Sequence, residues 1–371
     1  ISSKAAFLID NRTNKVLYSK NENQKMYPAS TTKILTAIVV LENCDLNEVL
    51  TVSYDAIASI PEGYTIANLQ VGEELTVEQL LELLLVHSAN DAANVLAIHV
   101  GGSITSFVSM MNTKVSDLGL TGSHFTNVYG LHDENHYTTA HDLAFIMKYC
   151  LKNESFRKIA GQASCAIPAT NKYGTRKYNN TNELIIPKTA SYYPYITAGK
   201  TGFTTPAGEC LVSSAYKDDL ELICVVLGGN NRFSDTRNLY EYAYSNYSIK
   251  NIVNEKDVVG NIEVSNASKE TKNLDLLVAE SIPALVTTSD NLESFTPSLT
   301  LNEEILAPIQ EGDVLGKVTY SINGVDYTTD VIASHTVEES KVLSYVLYTG
   351  IILIFLFLVY EAFFKRKKKR R

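Results

Sequence analysis

An α+β domain, a small all-β domain and a C-terminal membrane helix are predicted, in that order, by three features of the sequence. Apolar runs of strand length stand at both ends of residues 1–248, whereas the residues between them repeat apolar side chains at helical spacing. From residue 249 the pattern changes to short alternating runs punctuated by glycine. A long apolar segment then precedes a basic C-terminus.

The strands of the first domain are predicted to form one antiparallel sheet. A turn-rich segment, residues 10–14, separates the first two apolar runs, which therefore predict a hairpin. The five predicted strands are residues 5–9, 16–19, 195–203, 208–216 and 220–228. Because they lie at both ends of the domain, the sheet is closed by the two ends of the chain and a helical lobe is inserted into it.

The inserted lobe is predicted from apolar positions that recur at helical spacing. Residues 31–41 are apolar on nearly every face, which indicates a fully buried helix. Further helices are predicted at residues 76–87, 91–100, 104–118 and 140–152, and a closing helix at 234–247. This architecture places Ser30, at the start of the buried helix, against the strand that carries Lys200.

Residues 249–338 are predicted to form a small all-β domain that resembles a β-sandwich. Its predicted role is that of a stalk. Asn323-Gly324 between two alternating runs is the strongest short signal of a hairpin. Residues 342–364 carry one charge, Glu361, and are long enough to cross the hydrocarbon layer of a bilayer. We therefore predict a single transmembrane anchor.

The basic segment at residues 365–371 is expected to stay in the cytoplasm by the positive-inside rule. The catalytic domain is then extracytoplasmic. Export normally needs an N-terminal signal, and the sequence starts at Ile1 without a basic and apolar leader. We expect that a signal peptide has been removed.

Composition excludes some functions. The net charge is −9 although all seven of the last residues are basic, and this acidic bulk argues against a nucleic-acid partner. The five cysteines have no metal-ligand spacing. They are expected to be buried and reduced, and the pair worth checking for a disulfide is Cys210 and Cys224, because both fall on the predicted strands of one hairpin.

A serine with a lysine three residues later occurs three times, and its context selects one copy. Ser214–Lys217 lies on a predicted strand, where positions i and i+3 face opposite sides, and Ser155–Lys158 lies in a charged stretch. Ser30 begins the buried helix, so Lys33 can reach its hydroxyl. A plain N-cap is the structural alternative for Ser30 if the motif is taken alone.

Two further motifs follow in chain order. Ser88-Ala-Asn90 lies between two predicted helices, whereas the similar Ser289-Asp-Asn291 and Ser321-Ile-Asn323 fall in turns of the all-β domain. Lys200-Thr201-Gly202 occurs once, on a predicted strand. A nucleophile beside a lysine, a second serine and a lysine anchor are the parts of a serine acyl-transfer site.

With these motifs the chain resembles low-molecular-weight penicillin-binding proteins of the serine D-alanyl-D-alanine carboxypeptidase type. The resemblance also covers Gly130-Leu131, residues 137–142, the all-β domain and the anchor. It implies a β-lactamase/penicillin-binding-protein-like catalytic domain that trims peptidoglycan pentapeptide stems, limits cross-linking and is acylated by β-lactams, with no cofactor and no metal. Some members have histidine where this chain has Tyr129, so the role of Tyr129 stays open.

The resemblance also implies roles for nine residues. Ser30 is the nucleophile, and Lys33 is its base, with a pKa lowered by burial and by Lys200. Ser88 relays the proton and Asn90 holds the substrate amide. The backbone N–H groups of Ser30 and Phe203 form the oxyanion hole, while the substrate carboxylate binds at the residues Lys200, Thr201, Gly202 and Arg232. Arg237 is the alternative arginine.

Three other interpretations remain open at this point. A class A-like β-lactamase needs a carboxylate to activate water, and Glu134, Glu154 and Glu183 lack the usual context for it. A non-catalytic β-lactam or peptidoglycan sensor would keep the acylating serine, although the short tail has no room for a signalling domain. Finally, His132, His136 and His141 with Asp142 could converge on a metal.

Overall fold

The computed structural model describes the backbone of residues 1–368 and the side chains of residues 1–341, 345–362 and 365. The last three residues of the predicted basic segment, 369–371, lie outside the described residues. The chain divides into two compact units, Ile1–Ser248 and the residues from Ile249 onward.

The first unit contains nine strands and eight helices within the described residues. The strands are β1 (Ala5–Asp10), β2 (Val16–Lys20), β3 (Val49–Thr51), β4 (Glu74–Thr76), β5 (Ser164–Ile167), β6 (Arg176–Asn179), β7 (Ile196–Thr204), β8 (Gly208–Lys217) and β9 (Leu220–Gly229). The helices are α1 (Lys33–Leu41), α2 (Tyr54–Ala58), α3 (Val77–Glu82), α4 (Asn90–Gly101), α5 (Ile104–Asp117), α6 (Ala140–Cys150), α7 (Glu154–Ala160) and α8 (Arg232–Asn246).

One antiparallel sheet joins the two ends of this unit, as the sequence predicts. Its strand order is β2-β1-β9-β8-β7, so the N-terminal hairpin pairs with the last strand of the unit. The register runs from Ala5 opposite Leu227 to Asp10 opposite Leu222. In β7, Lys200 lies opposite Val212 of β8.

Helix α1 is the centre of the helical lobe. Every residue from Lys33 to Val40 is buried, which confirms the predicted all-round burial. A 3₁₀ turn, Ala29–Thr32, precedes the helix and carries Ser30. The helix predicted for 76–87 ends at Glu82, and a π-helical turn, Leu83–His87, replaces its last part.

All five cysteines are free thiols in the described structure. Four of them are buried as expected, whereas Cys44 is only partly buried. Cys210 and Cys224 are buried on neighbouring strands, but Cys224 lies opposite Ser213 rather than opposite Cys210. The register therefore explains why this pair forms no disulfide.

The second unit is all-β up to its C-terminal helix. Its strands are β10 (Tyr247–Val253), β11 (Val258–Glu263), β12 (Asn273–Val278), β13 (Ile282–Thr287), β14 (Ser298–Leu301), β15 (Val314–Ile322) and β16 (Val325–Ala333). One sheet has the order β11-β12-β16-β15-β14 and a second pairs β10 with β13. Asn323 and Gly324 both have positive φ, 52° and 78°, which is the turn that their sequence predicts.

A single long helix, α9 (Val342–Lys368), ends the described chain. The segment Tyr345–Ala362 is long and apolar enough to cross a membrane, and none of it is buried in the protein. An apolar surface of this kind needs a covering of lipid or protein. The structure therefore contains one C-terminal candidate membrane helix.

Candidate active site

Ser30 and Lys33 meet at the start of the buried helix. In a 3₁₀ turn, side chains at i and i+3 lie one above the other. Lys33 Nζ donates to Ser30 Oγ at 2.9 Å and to the Tyr129 carbonyl oxygen at 3.0 Å. The amine therefore lies within proton-transfer distance of the hydroxyl, and Tyr129 contributes its backbone to this contact.

Two glycines allow other segments to approach Ser30 closely. Gly130 has φ +91°, and a Cβ at this position would lie 1.8 Å from the carbonyl oxygen of Ala29. A Cβ on Gly202 would lie 2.7 Å from the oxygen of Pro28 and 3.0 Å from the nitrogen of Ser30. Any larger residue would therefore push the loop or the strand away from Ser30.

The π-helical turn positions Ser88. The Ser88 backbone is left-handed, with φ 68° and ψ 27°, and the Ser88 N–H donates to Leu83 O, five residues earlier. The next segment turns at once into α4, which begins at Asn90. π-Turns are rare and concentrate at functional sites. Here the turn places Ser88 and Asn90 along one wall of the same cavity.

Asn90 presents an unused acceptor. Its Oδ1 is buried and has no hydrogen-bond partner among the described residues. Leaving a buried acceptor unpaired costs free energy, so a ligand N–H is its natural complement. The backbone N–H of Asn90 is already used, because it donates to Thr65 O at 2.9 Å.

Asp91, the residue after Asn90, fixes the loop that contains Thr65. Asp91 is buried and accepts from the N–H groups of Ala67 and Leu69 at 2.9–3.0 Å. This segment leads from Tyr64 and Thr65, which line the cavity. Asp91 is therefore a positioning residue for one rim of the site.

Lys200 is buried behind Thr201. Its Nζ donates to the Thr201 carbonyl oxygen at 3.0 Å and to Thr181 Oγ1 at 3.5 Å. The hydroxyls of Thr181 and Thr201 lie 2.6 Å apart. Burial, reinforced by the charge of Arg232, lowers the pKa of Lys200 to about 7.

The pKa of Lys33 is also shifted downwards. Burial is the main cause and the positive charge of Lys200 adds to it, while Asp91 acts in the opposite direction. The pKa therefore lies well below the ordinary value of lysine. A neutral amine beside a serine hydroxyl can act as a base.

Arg232 reaches the cavity from the first residue of α8. Its Nη1 donates to Gly202 O at 2.8 Å, and its backbone N–H donates to Glu209 Oε2 at 3.0 Å. Its Nε is buried without a partner among the described residues. Arg237 is turned elsewhere, because it donates to the carbonyl oxygens of Ser191 and Tyr192. Arg232 is thus the arginine that is available to an anion.

One cavity of about 570 Å³ collects these groups. Its lining includes seven of the nine predicted residues: Ser30, Ser88, Asn90, Thr201, Gly202, Phe203 and Arg232. The two lysines lie behind this surface, where Lys33 contacts Ser30 and Lys200 contacts Thr201. The lining residues include no aspartate or glutamate within the part of the chain that the structure describes.

Sequence reasoning missed several residues of the lining. Tyr64, Thr65 and Thr181 belong to segments without any recognisable motif. His132 also lines the cavity, directly after Gly130-Leu131, the pair that carries part of the family resemblance. That pair was therefore the signal that could have pointed to His132 as a lining residue.

The decoy motifs lie outside the cavity. Lys158 is exposed on α7 and pairs with Glu78, whereas Ser214 is buried in β8. His136 is buried, and its Nε2 lies 2.9 Å from Thr32 Oγ1. Burial lowers the pKa of His136 to about 4, so this imidazole is neutral at ordinary pH.

The metal interpretation of the histidine loop finds no support in the described residues. Among the described residues, only Cys44, Glu48 and His99 bring three potential metal-ligand atoms within 4.8 Å of one another. His132 instead packs edge-on against Tyr27 at a ring distance of 4.5 Å.

Comparison with known proteins matches both units. The family model of D-alanyl-D-alanine carboxypeptidases matches residues 1–231. That of the C-terminal domain of penicillin-binding protein 5 matches residues 247–339. The chain is 31% identical to D-alanyl-D-alanine carboxypeptidase DacF of Bacillus subtilis over 331 residues, which cover 87% of this chain and 82% of that protein.

Solved structures that are similar to this chain include penicillin binding protein 5 from Haemophilus influenzae. It is 26% identical, with a TM-score of 0.70 over 91% of this chain and 98% of that one. The peptidoglycan synthesis regulatory factor PBP3 of Streptococcus pneumoniae has a TM-score of 0.75 at 24% identity, covering 91% of this chain and all of that one. This second likeness supports the fold alone.

Proposed function

Because the chain belongs to the D-alanyl-D-alanine carboxypeptidase family, we propose that Ser30 is the nucleophile that cleaves the terminal D-Ala-D-Ala bond. The predicted family, fold and enzyme class are confirmed, and the chain is a serine-type D-Ala-D-Ala carboxypeptidase. The assignment of individual residues is the proposal. The observation that carries it is the 2.9 Å contact between Lys33 Nζ and Ser30 Oγ.

Acylation begins when neutral Lys33 takes the proton of Ser30. Burial and the charge of Lys200 keep the pKa of Lys33 low, so the amine is available as a base. Ser30 Oγ then bonds to the carbonyl carbon of the penultimate D-alanine. The backbone N–H groups of Ser30 and Phe203 stabilise the resulting oxyanion, an arrangement whose loss typically costs ~10²–10³ in rate per donor.

Collapse of the intermediate breaks the carbon–nitrogen bond and releases D-alanine. Ser88 relays the proton to the leaving amine, and the unpaired Oδ1 of Asn90 accepts an N–H of the substrate. Water then cleaves the Ser30 ester by the same route in reverse. The products are free enzyme, one D-alanine and the shortened peptide.

The terminal carboxylate of the substrate is bound by cations and hydroxyls at the other end of the cavity. Thr201 offers its hydroxyl, Lys200 lies directly behind it, and Arg232 has an unpaired Nε. A carboxylate here would favour the protonated form of Lys200. Gly202 keeps the strand close enough to Ser30 for both ends of the dipeptide to bind at once.

The partners follow from this chemistry. We propose peptidoglycan pentapeptide stems as substrates and β-lactams as covalent inhibitors of Ser30. The candidate membrane helix Tyr345–Ala362 supports anchoring of the enzyme at the cell membrane. Basic residues after the span favour a cytoplasmic C-terminus and an extracytoplasmic catalytic unit.

The geometry disfavours the β-lactamase alternative. A hydrolysing carboxylate would have to face the acyl-enzyme, yet no described lining residue carries one. Glu183 accepts from Ser191 Oγ at 2.9 Å on a neighbouring turn. The acyl-enzyme formed with penicillin is therefore expected to be long-lived.

The test compares Ser30→Ala with Ser155→Ala, its matched decoy, in the full chain purified in detergent. We expect Ser30→Ala to lose both labelling by a fluorescent penicillin and D-alanine release from a pentapeptide. Ser155→Ala should keep both. Equal labelling of the two variants would refute the assignment of Ser30, and labelling without D-alanine release by the unmodified chain would favour a sensor.

A further inference from the structure

A second chemically distinctive cluster lies at the far end of the helical lobe. Cys44 follows α1, Glu48 directly precedes β3, and His99 lies in the last turn of α4. One sulfur, one carboxylate oxygen and one ring nitrogen of these residues lie within 4.8 Å of one another. We call these three residues the Cys44 cluster. The enzymatic mechanism does not use it.

The backbone that carries the Cys44 cluster is held by regular hydrogen bonds. The N–H of Cys44 donates to Val40 O at 3.0 Å and continues the end of α1. The N–H of Val77 donates to Glu48 O at 2.9 Å, next to the β3–β4 pair. Cys44 and Glu48 lie in the connection between α1 and β3, and these hydrogen bonds fix both ends of that connection.

The side chains themselves remain accessible. His99 Nε2 lies 3.0 Å from Glu48 Oε1, and these side chains are 36% and 42% exposed, while Cys44 is half-buried. An exposed pair of this kind contributes little to stability. The three side chains are therefore accessible to an ion from solvent.

The ligand set selects the ion by its chemistry. We propose that the Cys44 cluster binds one Zn²⁺ through the thiolate, the imidazole and the carboxylate, with water as the fourth ligand. Zinc takes sulfur, nitrogen and oxygen ligands in a tetrahedron, with neighbouring ligand atoms about 3.5 Å apart. Calcium and magnesium prefer oxygen alone. Small side-chain rotations would bring the three atoms to zinc-binding distances.

The ion would join two helices that also serve the active site. Lys33 begins α1 and Asn90 begins α4, whereas the Cys44 cluster lies at the opposite ends of both helices. The eight helical steps from Lys33 to Leu41 span about 12 Å, and Cys44 lies three residues beyond the end of α1. The zinc is therefore structural: it stabilises the folded state by mass action and takes no part in D-alanine release.

Cobalt titration tests the site, because Co²⁺ bound to a thiolate in a tetrahedral site gives a sulfur-to-cobalt charge-transfer band. The full chain in detergent should show this band, saturating at one ion, and Zn²⁺ should displace it. Cys44→Ser should abolish the band, and His99→Gln should weaken Co²⁺ binding by at least about tenfold. Cys165→Ala and His124→Gln are the matched controls and should keep it.

A thermal shift supplies a readout that is independent of colour. Zn²⁺ should raise the melting temperature of the unmodified chain and of both controls, but not that of Cys44→Ser. Labelling of Cys44→Ser by fluorescent penicillin verifies that this variant is folded. The proposal is overturned if the unmodified chain gives no charge-transfer band, or if Cys44→Ser retains the band or the zinc-dependent shift. None of these outcomes depends on which serine performs the reaction.

Discussion

The two units of this chain bury different kinds of side chain. Among the described residues, every buried polar or charged side chain belongs to the first unit, and they include Lys33, Lys200 and Asp91. The buried side chains of the second unit are all hydrophobic. Buried charges are costly unless they are paired. The contrast separates a unit that holds buried charges from one whose described core is entirely hydrophobic.

Lys200 illustrates the free-energy cost of burying a charge in the first unit. Its pKa of about 7 in the folded protein lies below the 10.5 of an ordinary lysine. Between these pH values Lys200 is protonated in the unfolded chain but neutral in the folded protein. The free energy of unfolding therefore increases as pH rises from about 7 to 10.5. Below pH 7 the burial of charged Lys200 lowers the free energy of unfolding by a constant amount, of the order of 5 kcal/mol. The second unit carries no buried lysine among its described residues.

Unfavourable backbone conformations occur beside Ser30 and at Ser88. In the first unit, Ala29, which precedes Ser30, and Ser88 have positive φ, 48° and 68°, a conformation that a Cβ makes unfavourable. In the second unit, the hairpin turn places Asn323 and Gly324 in this region, and these residue types favour it. Backbone strain is therefore present beside Ser30 and at Ser88, although Lys188 in the first unit and Lys256 in the second also have positive φ, 74° and 67°.

The largest expected effect comes from removing the buried amine beside the nucleophile. Lys33→Met keeps the length of the side chain but removes the proposed base, so acylation by fluorescent penicillin should slow by about 10²–10⁴. The melting temperature at pH 7 should increase, because folding no longer has to bury an ionisable amine whose pKa is lowered by that burial. Stopped-flow labelling and a thermal melt measure the two effects.

The matched control uses the decoy motif of α7. Lys158 is exposed and pairs with Glu78, so Lys158→Met should leave both the acylation rate and the melting temperature nearly unchanged. If Lys33→Met acylated at the normal rate, the base would have to be another group. If it melted at a lower temperature, the buried amine would be a structural element and the contrast between the units would fail.

Much of the fold could be predicted because its signals are local. The N-terminal hairpin, the three strands β7–β9 and helix α1 follow from apolar periodicity and turn residues. Ser30, Lys33 and Thr201 were selected because their motifs have a preferred order and context. The hairpin at Asn323-Gly324 follows from turn chemistry alone.

The remaining features depend on contacts between distant segments. The π-turn before Ser88 is stabilised by the N–H of Thr181, which donates to Val86 O at 3.2 Å. Thr181 itself carries no motif, yet it contacts both Lys200 and Thr201. Likewise, Cys44 and His99 meet through packing of α1 against α4, which periodicity alone does not place in register. Tertiary contacts therefore decide what local patterns leave open.

A smaller effect is expected in the pH dependence of catalysis. The free enzyme should lose kcat/KM as pH rises through about 7, because Lys200 then loses the charge that attracts the substrate carboxylate. On the acid side, kcat/KM should increase with pH as Lys33 becomes neutral. Lys200→Arg should remove the alkaline decline, since an arginine stays protonated throughout this range.

Arg237→Lys is the corresponding control. Arg237 donates to the carbonyl oxygens of Ser191 and Tyr192 and does not line the cavity, so this exchange should leave the profile unchanged. D-alanine release measured from about pH 5 to 10 gives all three curves. If the alkaline decline persisted in Lys200→Arg, another group would be responsible for it. Lys200 would then have a structural role only.

The smallest effect is expected in the second unit, where a substitution should change stability and nothing else. Gly324 has φ +78°, and a Cβ at this position would meet no atom within 4 Å, so Gly324→Ala introduces backbone strain without a clash. It should destabilise the β15–β16 hairpin by about 1 kcal/mol. Hydrogen exchange of the β15–β16 amides should accelerate, whereas D-alanine release and penicillin labelling should stay unchanged.

The two activities should stay unchanged because this hairpin positions no catalytic side chain. The loop at Gly130 is the opposite case, since a Cβ there would lie 1.8 Å from Ala29 O, directly beside the nucleophile. Gly130→Ala is therefore the contrasting variant, and it should reduce penicillin labelling. Reduced D-alanine release by folded Gly324→Ala would show that the second unit takes part in catalysis, and the division of roles between the units would have to be abandoned.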